Sequence, residues 1–232
     1  MKKQFIQTSL MFAAMLGISA NLYAEKLSKE DIQRQKASSQ YKAYLPTKYT
    51  VFEGVQGDLN KDGLKDVVLI VKDTDPKQWV TDEYRGKLDR NRRGVIVLLN
   101  TKGRYQKVVQ NLSLFSSENE DGGVYFAPEL VPSIEKGLLK LHYAHGRYGY
   151  WAYQFRLEGR DMRLIGYDSS DNFGPYVNSE TSVNFLTAKK LVRENLNKDP
   201  DSDPKFKETW SKVNVAPMYL SKIQDIYDLS LE

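Results

Sequence analysis

The run GDLNKDGLKDVVLIV, residues 57–71, sets Asp58, Asn60, Asp62 and Asp66 around Gly63 and then turns apolar. A hard cation such as calcium takes about six to eight oxygen ligands, and a tight loop supplies them by aiming alternate side chains inward. Counted from Asp58, the side chains of Asp58, Asn60 and Asp62 stand at positions one, three and five. Gly63 permits the sharp turn at six, Leu64 offers its backbone carbonyl at seven, and Asp66 stands at nine. Three carboxylates this close repel one another unless a cation neutralises them. An EF-hand needs a bidentate glutamate at position twelve, which here is Leu69 inside VVLIV. That β-branched run has no helical period, so the loop feeds a strand. The spacing therefore predicts a calcium loop in a β setting, with Asp58, Asn60, Asp62, Leu64 and Asp66 as ligands. A structural ion of modest affinity, on the order of 10⁻⁴ to 10⁻³ M, is expected. The competing reading is a plain Asp/Asn/Gly turn, which needs no metal.

GRYGYWAYQFRL, residues 146–157, carries the second constellation. Strand alternation puts Trp151, Tyr153, Phe155 and Leu157 on one face, suited to a core, and Tyr148, Tyr150, Gln154 and Arg156 on the other. Tyrosine and arginine are enriched at binding hot spots, so Arg147, Tyr148 and Tyr150 are the candidate partner-binding residues. The competing reading buries both faces of the strand, and a tyrosine ribbon also suits sugar rings. His142 and His145 lie three residues apart, awkward for a shared metal; structural hydrogen bonding is expected of His142. No G-x-S-x-G nucleophile pattern occurs.

SSENEDGG, residues 116–123, holds Glu118, Glu120 and Asp121. Two carboxyl groups about 5–9 Å apart could perform glycosidase chemistry, although a Gly-flanked acidic loop is more simply a solvated one. YDSSDNFGPYVNSE, residues 167–180, is long for a hairpin connection, and a loop of that length suits insertion into a partner's cleft.

The elements that must position these groups are short and β-rich. KYTVFEGV, DVVLIV, GVIVLLN, RYQKVVQN, GGVYF, LLKLHYA, YWAYQFRLEG, DMRLIGYD and SVNFL are candidate strands, and NTKGR and LEGRD are glycine-bearing hairpin turns. The fold expected is mainly β: an antiparallel meander forming a sandwich or a partial-propeller-like domain, with a short N-terminal helix. That helix spans SKEDIQRQKASSQYKAY, capped by Ser28 with Asp31 three residues on, and Pro46 ends it. No internal repeat is evident. The basic run YRGKLDRNRRG, residues 84–94, reads as a solvated loop, with contact to an anionic partner as the alternative.

The front of the chain has the form of a secretory signal. MKK is a positive start, SLMFAAMLGIS an apolar stretch too short to span a bilayer, and cleavage falls after Ala24. The domains expected are thus residues 1–24 as signal peptide, 25–45 as N-terminal helix, 46–196 as the β-rich calcium-loop domain, and 197–232 as a polar spacer and C-terminal segment packing on it. The chain has no cysteine, so lipid attachment, a thiol nucleophile and Cys-ligated zinc are excluded. Of its 34 basic residues Lys2 and Lys3 precede Ala24, leaving near balance against 30 acidic ones. That balance does not suit nucleic acid.

The acidic loop resembles the calcium loop of FG-GAP-type β repeats. With GGVYF (122–126), LHYAHGRYGYWAYQFR (141–156), LIGYD (164–168) and SVNFLTAKK (182–190), it resembles a group of exported bacterial β-rich proteins over residues 46–192. This chain lacks the lipoprotein cysteine that several of the group carry, and Ala188 stands where glycine is expected. Related groups act as periplasmic inhibitors of lysozyme-like enzymes or as immunity proteins against secreted cell-wall-degrading effectors. What the resemblance implies is a non-catalytic, soluble periplasmic calcium-binding β protein that binds and inhibits a cell-wall hydrolase or secreted effector, with a glycan as a possible ligand. The alternatives are a glycan-acting enzyme using the 118–121 carboxylates and a structural envelope component.

Overall fold

The computed structural model describes residues 28–119, 127–197, 199 and 203–229. The proposed signal segment, the GGVYF run and the Glu120–Asp121 pair lie outside them. Helix α1 (Lys29–Gln40) starts where the sequence places it: Ser28 Oγ accepts the Asp31 N–H at 3.0 Å and donates to the Asp31 carboxylate at 2.7 Å.

Among the described residues thirteen strands follow, all paired antiparallel. The first sheet has the order β1 (Tyr49–Gly57), β2 (Asp66–Asp73), β5 (Arg93–Thr101), β6 (Arg104–Phe115). Between β2 and β5 the chain inserts a two-stranded hairpin, β3 (Trp79–Asp82) and β4 (Gly86–Asp89). The second sheet is a seven-stranded meander: β7 (Glu129–Glu135), β8 (Leu138–Ala144), β9 (Gly149–Glu158), β10 (Asp161–Phe173), β11 (Tyr176–Asn184), β12 (Lys189–Asn195) and β13 (Phe206–Lys212). Each strand pairs with its sequence neighbour.

The two sheets face each other as a sandwich. Val68, Ile70, Val95 and Val97 of the first meet Leu139, Leu141, Tyr143, Phe155 and Leu164 of the second. The other face of the first sheet, with Val67, Leu69, Ile96 and Leu98, packs under Ala37, Tyr41 and Tyr44. Cover on both sides explains why Asp66–Lys72 is buried throughout and why DVVLIV lacks alternation. Trp151, Tyr153, Phe155 and Leu157 all face the core, as the alternation predicts.

The chain after β13 straps the open side. Leu220, Ile223 and Ile226 enter the core. Asn111 Nδ2 donates to the carbonyls of Leu220 and Ile223 at 2.7 and 2.6 Å, and the Ile226 N–H donates to Leu114 C=O at 3.0 Å.

Two sequence expectations need correction. Residues 167–180 are not a loop: β10 runs on to Phe173 and β11 begins at Tyr176, so only Gly174 and Pro175 turn. The polar side chains there misled because part of that surface lies outside the sandwich, where a strand can afford them. The 84–94 run is not a plain loop either, since it supplies β4 and the start of β5. Its Arg93 and Asn91 are buried at 2% and 1% exposure.

Candidate functional site

The acidic loop is built on its own backbone. The Asp58 carboxylate accepts the N–H groups of Asp62 (3.2 Å) and Gly63 (2.9 Å), and Asn60 Oδ1 accepts that of Asp62 at 3.1 Å. Asp62 Oδ1 accepts the Leu64 N–H at 2.8 Å, and its Oδ2 accepts from Asn60 Nδ2 at 2.9 Å. Gly63, at φ +85°, occupies the left-handed region that a side chain would resist.

Asp66 plays another part. It is fully buried, and its two oxygens accept the N–H groups of Leu59 and Asn100, each at 2.8 Å. The structure thus brings Asp58, Asn60 and Asp62 together and spends Asp66 on fastening the loop to the sheet. Among the described residues no three Asp, Glu, His or Cys side chains converge tightly enough to cage a metal. The donor chemistry nevertheless suits a hard cation: every candidate ligand is an oxygen, and a carboxylate oxygen that accepts one hydrogen bond keeps a lone pair.

Leu59, between the acidic positions, is driven into the core at 3% exposure. The loop lies against the β7–β8 and β9–β10 turns, sharing a cleft of about 220 Å³ with Gly137, Arg156 and Gly159.

Arg147 and Tyr148 lie at the far end of β9, in a single 3₁₀ turn, Gly146–Tyr148. Tyr148 is therefore not part of the alternating strand. The turn packs against the tip of the β10–β11 hairpin, where the Gly174 N–H donates to Arg147 C=O at 3.0 Å. The Arg147 guanidinium lies 5.4 Å from the centre of the Phe173 ring and 5.8 Å from that of Tyr148. Phe173, which sequence reasoning missed, is 65% exposed. Gly149 makes the junction possible: its φ is +104°, and a Cβ there would overlap the Ser170 carbonyl oxygen.

Tyr150 departs from this cluster and stacks on His142, ring centres 5.2 Å apart, on the outer face of the sheet. His142 thus works by stacking rather than by the expected hydrogen bond, and its buried Nδ1 has no partner. Burial, then the nearby Lys140 ammonium, push its pKa below the ordinary histidine value.

Glu118 is held in an ion cluster. The Lys72 ammonium, in a residue only 6% exposed, bonds the Glu118 carboxylate and lies 2.8 Å from Asp89 Oδ2; Arg93 Nε is 3.9 Å from the other Glu118 oxygen. The sequence signal for this was a lysine ending an apolar strand, which is too common to be read.

A groove of about 550 Å³ separates α1 from β1 and is lined by Arg34, Tyr41, Phe52, Glu53 and Glu129. Burial, then repulsion from Glu129, raise the Glu53 pKa above the ordinary glutamate value.

Fold and geometry together define an antiparallel β sandwich with an acidic loop at one end and an aromatic–arginine tip at the other. The ten residues of β9 between them put the two about 30 Å apart. Set against known proteins, the chain matches no family model, and no curated protein or solved structure is significantly similar to it.

Proposed function

We propose that this is an exported, non-catalytic binding protein whose aromatic tip engages a protein partner and whose acidic loop takes a structural calcium ion. The observation that carries the reading is the tip itself. Arg147 and Tyr148 from one turn and the exposed Phe173 at the end of β10 meet at a single point of the sandwich. Arginine and aromatic side chains grouped in this way are what binding hot spots are made of. The partner class, a cell-wall hydrolase or secreted effector of the periplasm, comes from the sequence resemblance.

Asp58, Asn60 and Asp62 would hold the ion with the Leu64 carbonyl, while Asp66 keeps the loop fastened to the sheet. Bound there, it would neutralise the carboxylates and stiffen the loop. At about 30 Å from the tip it takes no direct part in binding a partner.

The test is clearing of a peptidoglycan suspension by a panel of lysozyme-type enzymes, with and without the purified protein in calcium. Slowed clearing by one enzyme supports inhibition. The double variant Arg147→Ala/Phe173→Ala should lose that effect while melting as the parent does. An undiminished effect removes the tip from the site, and unchanged clearing across the panel removes hydrolase inhibition.

A further inference from the structure

A β-sandwich has sheet edges, and an edge strand presents unpaired N–H and C=O groups that invite another strand. Three of the four main edges here are covered. Along β1, Ser38 Oγ accepts the Val51 N–H at 2.8 Å and Arg34 Nε donates to Phe52 C=O at 3.0 Å, so α1 occupies that edge. Along β6, the C-terminal strap takes the Leu114 carbonyl and the Asn111 side chain. β7 carries Pro132, which has no N–H to offer, and packs against β1.

β13 has none of these devices. It has no proline, no other described strand pairs with its outer side, and six of its seven residues are exposed.

The side chains along β13 are self-complementary. Glu208, Trp210 and Lys212 alternate onto one face, and Trp210 is 62% exposed. Run antiparallel to a second copy about a two-fold axis through Trp210, the strand sets Glu208 opposite the second copy's Lys212, Trp210 opposite its own counterpart, and Lys212 opposite the second Glu208. Opposite charges and paired aromatics are the cross-strand neighbours that stabilise sheets.

The neighbouring strand strengthens the case. Lys189 of β12 stands directly opposite Lys212, a like-charge pair that destabilises a sheet. No described acidic group forms an ion pair with either lysine. Arg193, by contrast, lies between Glu180 (2.5 Å) and Glu208 (3.5 Å). The second copy's Glu208 would supply the missing acid beside Lys212 and offset its repulsion with Lys189. The row across the seam would then run Glu180, Arg193, Glu208, Lys212, Lys189. Beside it, Leu191 and Trp210 of each copy would form a continuous apolar row.

We infer that β13 is a homodimerisation edge, joining two seven-stranded sheets into one across a two-fold axis at Trp210. A seam of one strand per chain is at the small end of specific interfaces, so the dimer is weak and its population depends on concentration. The partner is a second copy because this strand run against itself pairs Glu208 with Lys212 twice and Trp210 with Trp210 at the centre.

Sedimentation velocity over a wide concentration range tests this. The parent protein should pass from monomer to dimer. Glu208→Lys should abolish the shift, as should Lys212→Glu, whereas the double exchange Glu208→Lys/Lys212→Glu should restore it. A parent that stays monomeric at every concentration, or single variants that dimerise as the parent does, overturns the inference. The register has its own readout, because the chain contains no native cysteine. Under oxidation Trp210→Cys should cross-link to its counterpart, and Thr209→Cys should not. The reverse pattern overturns the Trp210 axis.

Discussion

Asp66 Oδ1 accepts the N–H of Asn100 at 2.8 Å, tying the last carboxylate of the acidic loop to the end of β5, beside its hairpin turn to β6. The same carboxylate holds the Leu59 N–H from inside the loop. A single buried side chain therefore joins loop, strand and hairpin whether or not a cation is bound. Asp66→Ala leaves two N–H groups without their acceptor, and hydrogen bonds to charged groups are each worth roughly 1.5–3 kcal/mol. The expected loss is about 3 kcal/mol, the same in calcium and in chelator. Asp62→Ala should behave differently, lowering the melt and abolishing any gain from calcium. Thermal melts of both variants, with calcium and with chelator, separate the two roles. A parent melt indifferent to calcium would leave the loop a metal-free turn.

The Lys72 cluster makes the second prediction. Removing one partner of a buried ion pair costs about 3–5 kcal/mol, because the remaining charges lose their compensation. Lys72→Met keeps the stem but strands Asp89 and Glu118, so a loss of about 3 kcal/mol is expected in denaturant titrations. Burial alone would raise the Asp89 pKa. Hydrogen bonds from Lys72, the Asn91 N–H and the Asn91 side chain outweigh it and hold the carboxyl below the ordinary value of 3.8. The stabilisation from Asp89 is thus complete above 3.8 and fades as pH falls through the lower folded value. Asp89→Asn should flatten that acid limb.

Glu53 has the opposite sign. Burial, then repulsion from Glu129, raise its pKa above the ordinary 4.5. The folded state therefore binds this proton more tightly than the unfolded chain does. Its contribution to stability is greatest below 4.5 and is lost as pH rises through the folded value. Glu53→Gln should raise the melting temperature at neutral pH and make little difference in acid. Paired melts across pH check it, and an equal gain at every pH would point to packing instead.

The sequence was most readable where local chemistry and tertiary context agree. DVVLIV and GVIVLLN are buried along almost their whole length, LLKLHYA alternates buried with half-buried residues, and NTKGR turns where Lys102 and Gly103 take φ +51° and +88°. ELVPSIE was missed because Pro132 argues against a central strand, yet β7 is an edge and tolerates it. FKETWSK carries no apolar alternation because neither face is packed. The Arg147–Phe173 contact joins a turn to the end of a strand distant in sequence, and local spacing could not register it. The 1-3-5-9 acidic spacing gave the loop but not the division of labour within it, since Asp66 is set apart by Asn100 from another hairpin.

Ala188 supplies the last prediction. It has φ +53°, a conformation that costs an L-residue roughly 1–2 kcal/mol and glycine almost nothing. It closes the β11–β12 turn, in which Asn184 Oδ1 accepts the N–H groups of Leu186 and Thr187, each at 3.0 Å. The Val213 N–H donates to its carbonyl at 3.2 Å, so the turn also anchors the chain leaving β13. The surrounding bonds hold Ala188 in place against its own preference. Glycine here relieves the strain but gives the unfolded chain more freedom, worth about 0.5–1 kcal/mol in the opposite direction. The net expectation for Ala188→Gly is a gain of about 0.5 kcal/mol, or roughly 1–2 °C in Tm for a domain of this size. Ala152→Gly, in the middle of β9 with 0% exposure and an extended backbone, is the control and should lose stability. If both variants lose stability, the turn is held by its hydrogen bonds with no strain to release.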